Sequence, residues 1–348
     1  MLWPGTLPTQ RVSRGNGPVR ELPSRPSDVL SVPVRRYDGT RATVAEVLAD
    51  THTDAFVIAR NGAVIAAGGV LDQPQAVFSI TKSVVGCVAG ILADRGVLDL
   101  GRPVTHYVGE LAGSGYNDVT VRDVLDMRSG VHFEEDYTNQ QSDVRRLDQW
   151  LADKHRLYDF LTTLRAEAPH GSRFLYRSAE TDVLGWVCER AGDAPMAELV
   201  SSLVWAPLGA EHDAEFLTDV SGTAVHDGGL AVTALDLLRF GLMLAAHPKW
   251  LRRAWAVDAQ ARRDFLASPA EASFPGGWYR NQFWFRPGPH GNVLLGLGIH
   301  GQMLYVSRRT RTVCVKLSTW PDTQHPAHLQ DTLRAFDALT PVPRSTII

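Results

Sequence analysis

Apolar runs near both ends of the chain predict two β-hairpins. Residues 56–60 and 63–66 are apolar stretches separated by an Asn-Gly pair, which favours a type I′ turn. Residues 303–307 and 312–317 flank a short polar turn in the same way. Strands joined by such short turns pair antiparallel, so we expect an antiparallel sheet built from both ends of the chain.

Other segments repeat their apolar positions at the helical spacing. The segment 79–95 is apolar on nearly every side and stops at Gly96, a residue suited to a helix end. A helix that is apolar all round is expected to be buried. The same periodicity predicts four further helices between the hairpins and one after them, at 121–127, 158–165, 181–191, 234–246 and 328–339.

These elements predict a mixed α/β (α+β) fold. An antiparallel sheet is flanked by helices, and a mostly helical region is inserted between its two halves. The proline-rich start of the chain predicts an extended arm, to which no chemistry is assigned. The predicted boundaries are an arm at 1–45, a main domain at 46–340 and a tail at 341–348, with the sheet at 46–80 and 225–340 and the helical region at 81–224.

Length and charge narrow the class of protein. With 348 residues and 44% hydrophobic content, the chain can bury a large core. The formal net charge is -3 and the arginines are scattered, so no nucleic acid partner is expected. No apolar run reaches the roughly 18 residues of a membrane span, and the start lacks an apolar stretch of signal-peptide length. We therefore expect a cytoplasmic protein without membrane contact, and a homodimer is left open.

The cysteines and histidines form neither a disulfide nor a metal pattern. Cys87, Cys188 and Cys314 lie far apart in apolar segments, which predicts buried, reduced thiols. The histidines lack metal-ligand spacing, and the glycine pairs lack the sequence of a phosphate-binding loop. No metal and no cofactor are therefore predicted.

The strongest chemical signal is a serine and a lysine one helical turn apart. Ser79 and Lys82 share a face at the start of the buried helix, so the amine can reach the hydroxyl. A serine becomes a strong nucleophile only when a neighbour takes its proton. Burial and the positive end of the helix dipole are expected to lower the pKa of Lys82 toward the range of a base.

Two other segments are candidates for the same site. Tyr176 lies just before a predicted helix, where a phenol beside an ammonium could relay a proton, although most tyrosines only pack. The stretch Gly298-Ile299-His300-Gly301 precedes a strand, where an outward-pointing backbone N–H could stabilise an oxyanion. These glycines could equally mark a bulge. The residues alone leave both interpretations open.

Several motifs occur together in the order of a known superfamily. They are Ser79-Ile80-Thr81-Lys82, residues 96–111, residues 121–130 and Tyr176-Arg177-Ser178. Through these motifs the chain resembles the penicillin-recognising serine hydrolases related to class C β-lactamases, from about residue 54 to 339. Residues 135–137, 181–190 and 298–302 are most similar to the 6-aminohexanoate-dimer hydrolases, the nylon-oligomer-degrading branch of that superfamily.

The resemblance implies a β-lactamase/transpeptidase-like fold and a set of catalytic groups. Ser79 would be the acylated nucleophile, and Lys82 and Tyr176 would handle its proton. The backbone N–H groups of Ser79 and Ile299 would form the oxyanion hole.

The resemblance also implies a substrate-binding set. Tyr137 matches a tyrosine that hydrogen-bonds the substrate amide, Trp284 matches a wall of the cleft, and Asp148 matches a carboxylate near the substrate's amine end. Asp227 stands where the nylon-oligomer hydrolases carry Asn or His, and it would repel a carboxylate or attract an amine. His300 completes the set.

The expected function is hydrolysis of a linear amide or ester bond in a small molecule, through an acyl-enzyme on Ser79. The alternative is a carboxylesterase of the same fold that acts on short acyl esters. A β-lactamase or DD-peptidase is less favoured, because Gly298-Ile299-His300 replaces the Lys-Thr-Gly box whose cation grips a β-lactam carboxylate. An inactive relative that binds peptides or wall fragments is also less favoured, because the serine, the lysine and Tyr176 are all present.

Overall fold

The structure is a computed structural model that describes residues 7–256 and 258–340. The tail predicted at 341–348 and the first six residues of the predicted arm lie outside these ranges. Within them, the strands are β1 (Thr9–Val12), β2 (Pro33–Arg35), β3 (Arg41–Thr43), β4 (Thr53–Arg60), β5 (Ala63–Gly69), β6 (Gln75–Ala76), β7 (Ala214–Leu217), β8 (Leu230–Val232), β9 (Trp278–Arg280), β10 (Phe283–Gly288), β11 (Gly291–Gly298), β12 (Gln302–Ser307) and β13 (Thr312–Ser318).

The largest sheet is antiparallel and contains both predicted hairpins. Its order is β5-β4-β13-β12-β11-β10-β9, so β4 from the start of the chain pairs with β13 from the end. The turn between β4 and β5 has positive φ angles at Asn61 (50°) and Gly62 (79°), as a type I′ turn requires. The two hairpins, and their union in one sheet, are confirmed.

Helices cover both faces of this sheet. Leu304 and Tyr305 are neighbours in β12 and point to opposite faces, because side chains alternate along a strand. Leu304 lies against Gly241 of one helix, and Tyr305 lies against Phe336 of another. The helices are α1 (Val44–Asp50), α2 (Ile80–Asp94), α3 (Val121–Leu125), α4 (Asp143–Ala152), α5 (Leu157–Leu161), α6 (Ser178–Gly192), α7 (Met196–Val200), α8 (Ala234–Ala245), α9 (Ala259–Leu266) and α10 (Pro326–Ala338).

The helix predicted at 79–95 is α2, and it is buried as expected. Most of its residues are fully buried, and it packs against α6 and against the sheet. The chain leaves the helix at Gly96, whose φ of 72° is the left-handed conformation that glycine adopts without strain. The helices predicted at 121–127 and 158–165 are shorter than predicted. In α3 the reason is Met127, whose φ of 58° ends the helical geometry.

A smaller sheet holds the segment that leads into α2. Its order is β1-β7-β8-β6, so a strand of the N-terminal arm belongs to it. The N–H of Val77 donates to the carbonyl of Leu230 over 3.0 Å, and the N–H of Leu230 donates to the Thr81 hydroxyl over 3.1 Å. These bonds fix the start of α2 beside the loop that carries Asp227.

Cys87, Cys188 and Cys314 are buried free thiols, as predicted. No helix within residues 7–256 and 258–340 is long and apolar enough to cross a membrane.

Candidate active site

Ser79 lies at the N-cap of α2, directly after a strained residue. Phe78 has a φ of 46°, and this left-handed turn ends the approach from β6. The Ser79 side chain makes no capping bond to the helix backbone. It accepts a hydrogen bond from Lys82 Nζ over 3.0 Å instead. The hydroxyl is therefore available for chemistry rather than used to cap the helix.

Lys82 is almost fully buried, and the hydrogen-bond acceptors around its Nζ are those expected for an ammonium group. Besides Ser79, its Nζ donates to the hydroxyl of Ser178 (3.1 Å) and to the carbonyl of Asp227 (2.7 Å). Three acceptors at hydrogen-bond distance match the three hydrogens of a protonated amine. An Asp227 carboxylate oxygen lies 3.6 Å from the same nitrogen.

The expected lowering of the Lys82 pKa is wrong. Burial does lower it, but the neighbouring acidic groups Tyr176, Asp227, Glu135 and Asp182 together outweigh burial and raise the pKa above its ordinary value. Burial in the helix and the helix dipole both act to lower the pKa of a lysine at this position. The carboxylates come from other segments, which no local pattern places beside the lysine.

Tyr176 is the third predicted catalytic side chain near Ser79. Its phenol lies close enough to Ser79 and Lys82 for both side chains to act on its pKa, and the Lys82 ammonium lies 5.3 Å from the centre of its ring. The ring stacks on Trp284 with centroids 5.1 Å apart. Burial raises the pKa of Tyr176, and the nearby Lys82 only partly opposes this. The structure thus brings together a hydroxyl, an ammonium and a protonated phenol from two segments, the start of α2 and the residues before α6.

Glu135 is a member of the site that the sequence analysis did not assign. Its carboxylate accepts hydrogen bonds from the N–H of Ser178 (2.8 Å), from the Ser178 hydroxyl (2.6 Å) and from the Tyr137 phenol (2.8 Å). Burial raises the pKa of Glu135, with Lys82 opposing. A continuous hydrogen-bonded chain therefore runs from Lys82 through Ser178 to Glu135. Ser178 is 43 residues away from Glu135, so no local motif shows this contact.

Asp182 is the second residue that was missed. It lies fully buried on α6 and accepts a hydrogen bond from the N–H of Asp227 over 3.1 Å. Burial, followed by the charge of Asp227, raises its pKa well above the ordinary value, with Lys82 opposing. Asp182 directly precedes the apolar run 183–188, and a carboxylic acid beside such a run was a signal in the sequence that could have identified it.

Of the four remaining predicted residues, two line the cavity beside this centre and two do not. Tyr137 and Trp284 line the cavity next to Ser79. Asp148 on α4 accepts a hydrogen bond from Arg145 (3.0 Å), and burial together with the charge of Asp227 raises its pKa. His300 is buried, with its Nδ1 2.7 Å from the carbonyl oxygen of Trp320.

The cavity beside Ser79 has a volume of about 360 Å³. Its polar end contains Ser79, Glu135, Tyr137 and Tyr176. The rest of its wall is mostly apolar and includes Phe274, Trp284, Leu297, Ile299, Met303 and Leu329. Across residues 7–256 and 258–340, no group of three or more His, Cys, Asp or Glu side chains is arranged to hold a metal ion.

Comparison with known proteins shows the family. Residues 40–339 match the model of the beta-lactamase family. The chain is 38% identical to the 6-aminohexanoate-dimer hydrolase of Paenarthrobacter ureafaciens over 362 aligned positions, which cover 96% of this chain and 89% of that relative. The resemblance found in the sequence is confirmed.

Solved structures show the fold. A Bacillus anthracis protein provisionally named a 6-aminohexanoate-dimer hydrolase has a TM-score of 0.82 at 23% identity, covering 96% of this chain and 91% of its own. A penicillin-binding protein from Bacillus halodurans has a TM-score of 0.65 at 17% identity, covering 85% of this chain and 99% of its own. These similarities confirm the β-lactamase/transpeptidase-like fold. The chain therefore belongs to the beta-lactamase family and is a hydrolytic serine enzyme.

Proposed function

We propose that this enzyme hydrolyses linear amide bonds, and the corresponding esters, through an acyl-enzyme on Ser79. The observation that carries the proposal is the convergence of Lys82 and Tyr176 on the Ser79 hydroxyl at the polar end of a cavity. The relative named 6-aminohexanoate-dimer hydrolase supports a linear amide as the substrate class.

The reaction has two steps. The Ser79 oxygen attacks the substrate carbonyl carbon, and the carbonyl oxygen takes negative charge beside the N–H groups of Ser79 and Ile299. The C–N bond then breaks, Tyr176 gives a proton to the departing amine and receives the Ser79 proton from Lys82, and an ester to Ser79 remains. The proton held by Glu135 returns to Lys82 through Ser178. Water hydrolyses this ester to release the acid and restore the hydroxyl.

The proton from Ser79 needs an acceptor, because Lys82 is an ammonium and Tyr176 a phenol at rest. The hydrogen-bonded chain through Ser178 supplies one. If Lys82 passes a proton to the Ser178 hydroxyl while that hydroxyl passes its own to Glu135, the lysine becomes a neutral base and the carboxylate a neutral acid. The raised pKa of Glu135 favours this exchange, whereas the raised pKa of Lys82 opposes it.

The cavity suggests which substrates fit. Its apolar wall suits an uncharged hydrocarbon segment beside the scissile bond. Asp227, whose carboxylate lies 3.6 Å from Lys82 Nζ, adds negative charge beside the reacting groups, which would attract an amine on the substrate and repel a carboxylate. A linear amide with an amine on one side and an apolar chain satisfies both features better than a β-lactam with its carboxylate.

Replacing Tyr176 by phenylalanine should slow acylation about 10²- to 10³-fold, because the leaving amine loses its proton donor. The ring can keep its stacking on Trp284, so thermal stability should hold. Single-turnover kinetics with an amide substrate would measure the effect. Tyr279→Phe is the matched control, since its ring also packs on Trp284 and its hydroxyl bonds Gln282 instead. Full acylation in Tyr176→Phe would refute the proton-transfer role.

Replacing Glu135 by glutamine should lower the acylation rate about 10- to 100-fold, because the amide keeps the shape of the carboxylate but cannot take a proton. The neighbouring and exposed Glu134→Gln is the control, and it should leave the rate unchanged. Stopped-flow measurement of acyl-enzyme formation would compare the two. Equal rates in both variants would show that the chain through Ser178 carries no proton.

The proposed function is tested by a substrate panel with the Ser79→Ala protein as the blank. Linear amides with and without a terminal amine, p-nitrophenyl acetate and a chromogenic cephalosporin would be compared side by side. We expect turnover of the amine-bearing amide and the ester, and little of the cephalosporin. Turnover of the ester alone would favour a carboxylesterase. A wild-type protein that hydrolyses none of these and is not labelled by a fluorophosphonate probe would contradict the proposal.

A further inference from the structure

His300 lies inside the turn that presents one of the proposed oxyanion donors. Ile299, His300 and Gly301 form a single helical turn between β11 and β12, and His300 has a φ of 59°. A non-glycine residue in this left-handed conformation is strained unless its surroundings hold it there. The side chain is only 6% exposed, so those surroundings are the protein itself.

Three hydrogen bonds hold His300 to the loop that follows β13. Its N–H donates to the carbonyl of Thr323 (2.9 Å), and its carbonyl accepts from the N–H of Trp320 (3.2 Å). Its Nδ1 donates to the Trp320 carbonyl over 2.7 Å, because a carbonyl oxygen can only accept. Next to it, Gly301 passes so close to the Trp320 ring that a Cβ there would overlap the ring. Contacts of the backbone and of the His300 side chain therefore both hold the turn in place.

The same side chain also reaches the nucleophile segment. The His300 ring lies 5.6 Å from the ring of Phe78, the left-handed residue directly before Ser79. His300 thus adjoins Ile299 in sequence and contacts the neighbour of Ser79 in space. The contact between His300 and Phe78 therefore links the two segments that carry the proposed oxyanion donors, beside the close approach of Gly298 to the Val77 carbonyl.

We propose that His300 is a positioning residue that sets the spacing between the oxyanion donors of Ser79 and Ile299, rather than a substrate contact. The inference rests on the proposed acyl-transfer function. Oxyanion stabilisation depends on donors held at fixed distance from the developing charge, so a small displacement of Ile299 should affect the transition state more than the bound substrate.

Three variants separate the roles of the backbone and the side chain. Asparagine tolerates the left-handed conformation and keeps a side-chain donor, glycine keeps only the conformation, and valine keeps neither. We expect His300→Asn to retain kcat within about threefold, His300→Gly to lose about tenfold, and His300→Val to lose about 100-fold or more. KM should change little, and affinity for phenylboronic acid, which mimics the tetrahedral intermediate, should fall in parallel with kcat.

Active sites are titrated with a fluorophosphonate, and kcat is expressed per labelled serine. Misfolded protein therefore does not affect the comparison between variants. His247 has a φ of 60° at the end of α8 and lies outside the cavity wall, so His247→Gly and His247→Asn are matched controls. A His300→Gly protein with unchanged kcat per labelled site, or one that changes only KM, would overturn the inference. Failure of wild-type labelling would instead count against the proposed function.

Discussion

Replacing Ser79 by alanine should lower kcat by at least about 10⁴-fold on every amide or ester substrate, because no other group can form the acyl-enzyme. Stability should change little. The hydroxyl is half-buried and does not cap α2, so its removal costs Lys82 one of three hydrogen-bond acceptors and no helix contact. Steady-state kinetics, thermal unfolding and mass spectrometry after probe treatment would measure rate, stability and labelling.

Ser83→Ala is the control for this prediction. Ser83 lies one turn further along α2, is buried, and its hydroxyl donates to the carbonyl of Gln282 over 3.1 Å. Its replacement should lower stability slightly and leave kcat per labelled site unchanged. If Ser79→Ala kept a measurable fraction of the wild-type rate, or were still labelled, the nucleophile would lie elsewhere.

How well a feature can be predicted from the sequence depends on how far apart in the chain the interacting residues are. Ser79 and Lys82 are three residues apart on one helix, so their contact follows from helical geometry, and the structure places them 3.0 Å apart. Asn61 and Gly62 specify a turn in the same local manner. Such features depend on few neighbours and can be predicted from the residues.

The charge state of Lys82 could not be predicted because it depends on distant segments. Glu135, Asp182 and Asp227 come from separate loops and a helix, and only the assembled fold brings their charge to the amine. Burial and the helix dipole, which can be recognised locally, lower the pKa of Lys82. They therefore led to the wrong expectation. Similarly, the assignment of His300 to substrate came from resemblance, whereas its bond to Trp320 appears only in the folded chain.

Replacing Lys82 by methionine should lower kcat by about 10³-fold or more, because Ser79 loses its hydrogen-bonded amine and the chain to Glu135 is cut. Methionine has a similar length and suits the buried position, so the variant removes the charge with little change in volume. The rate would be measured per titrated site with an ester substrate, on which slow acylation is easiest to detect.

The Lys82→Met protein should also be less stable than wild type, by an amount that depends on pH. Lys82 lowers the pKa of Glu135 and Asp182, so its removal raises both further above their values in the unfolded chain. A carboxyl whose folded pKa is raised is most favourable to folding below its unfolded pKa, and that contribution is lost as the pH rises. The loss in melting temperature relative to wild type should therefore be larger at pH 8 than at pH 5. Ser79→Ala, which keeps the ammonium, should show the same small difference at both pH values. Equal losses for Lys82→Met at pH 5 and pH 8 would mean that the lysine does not balance these carboxylates.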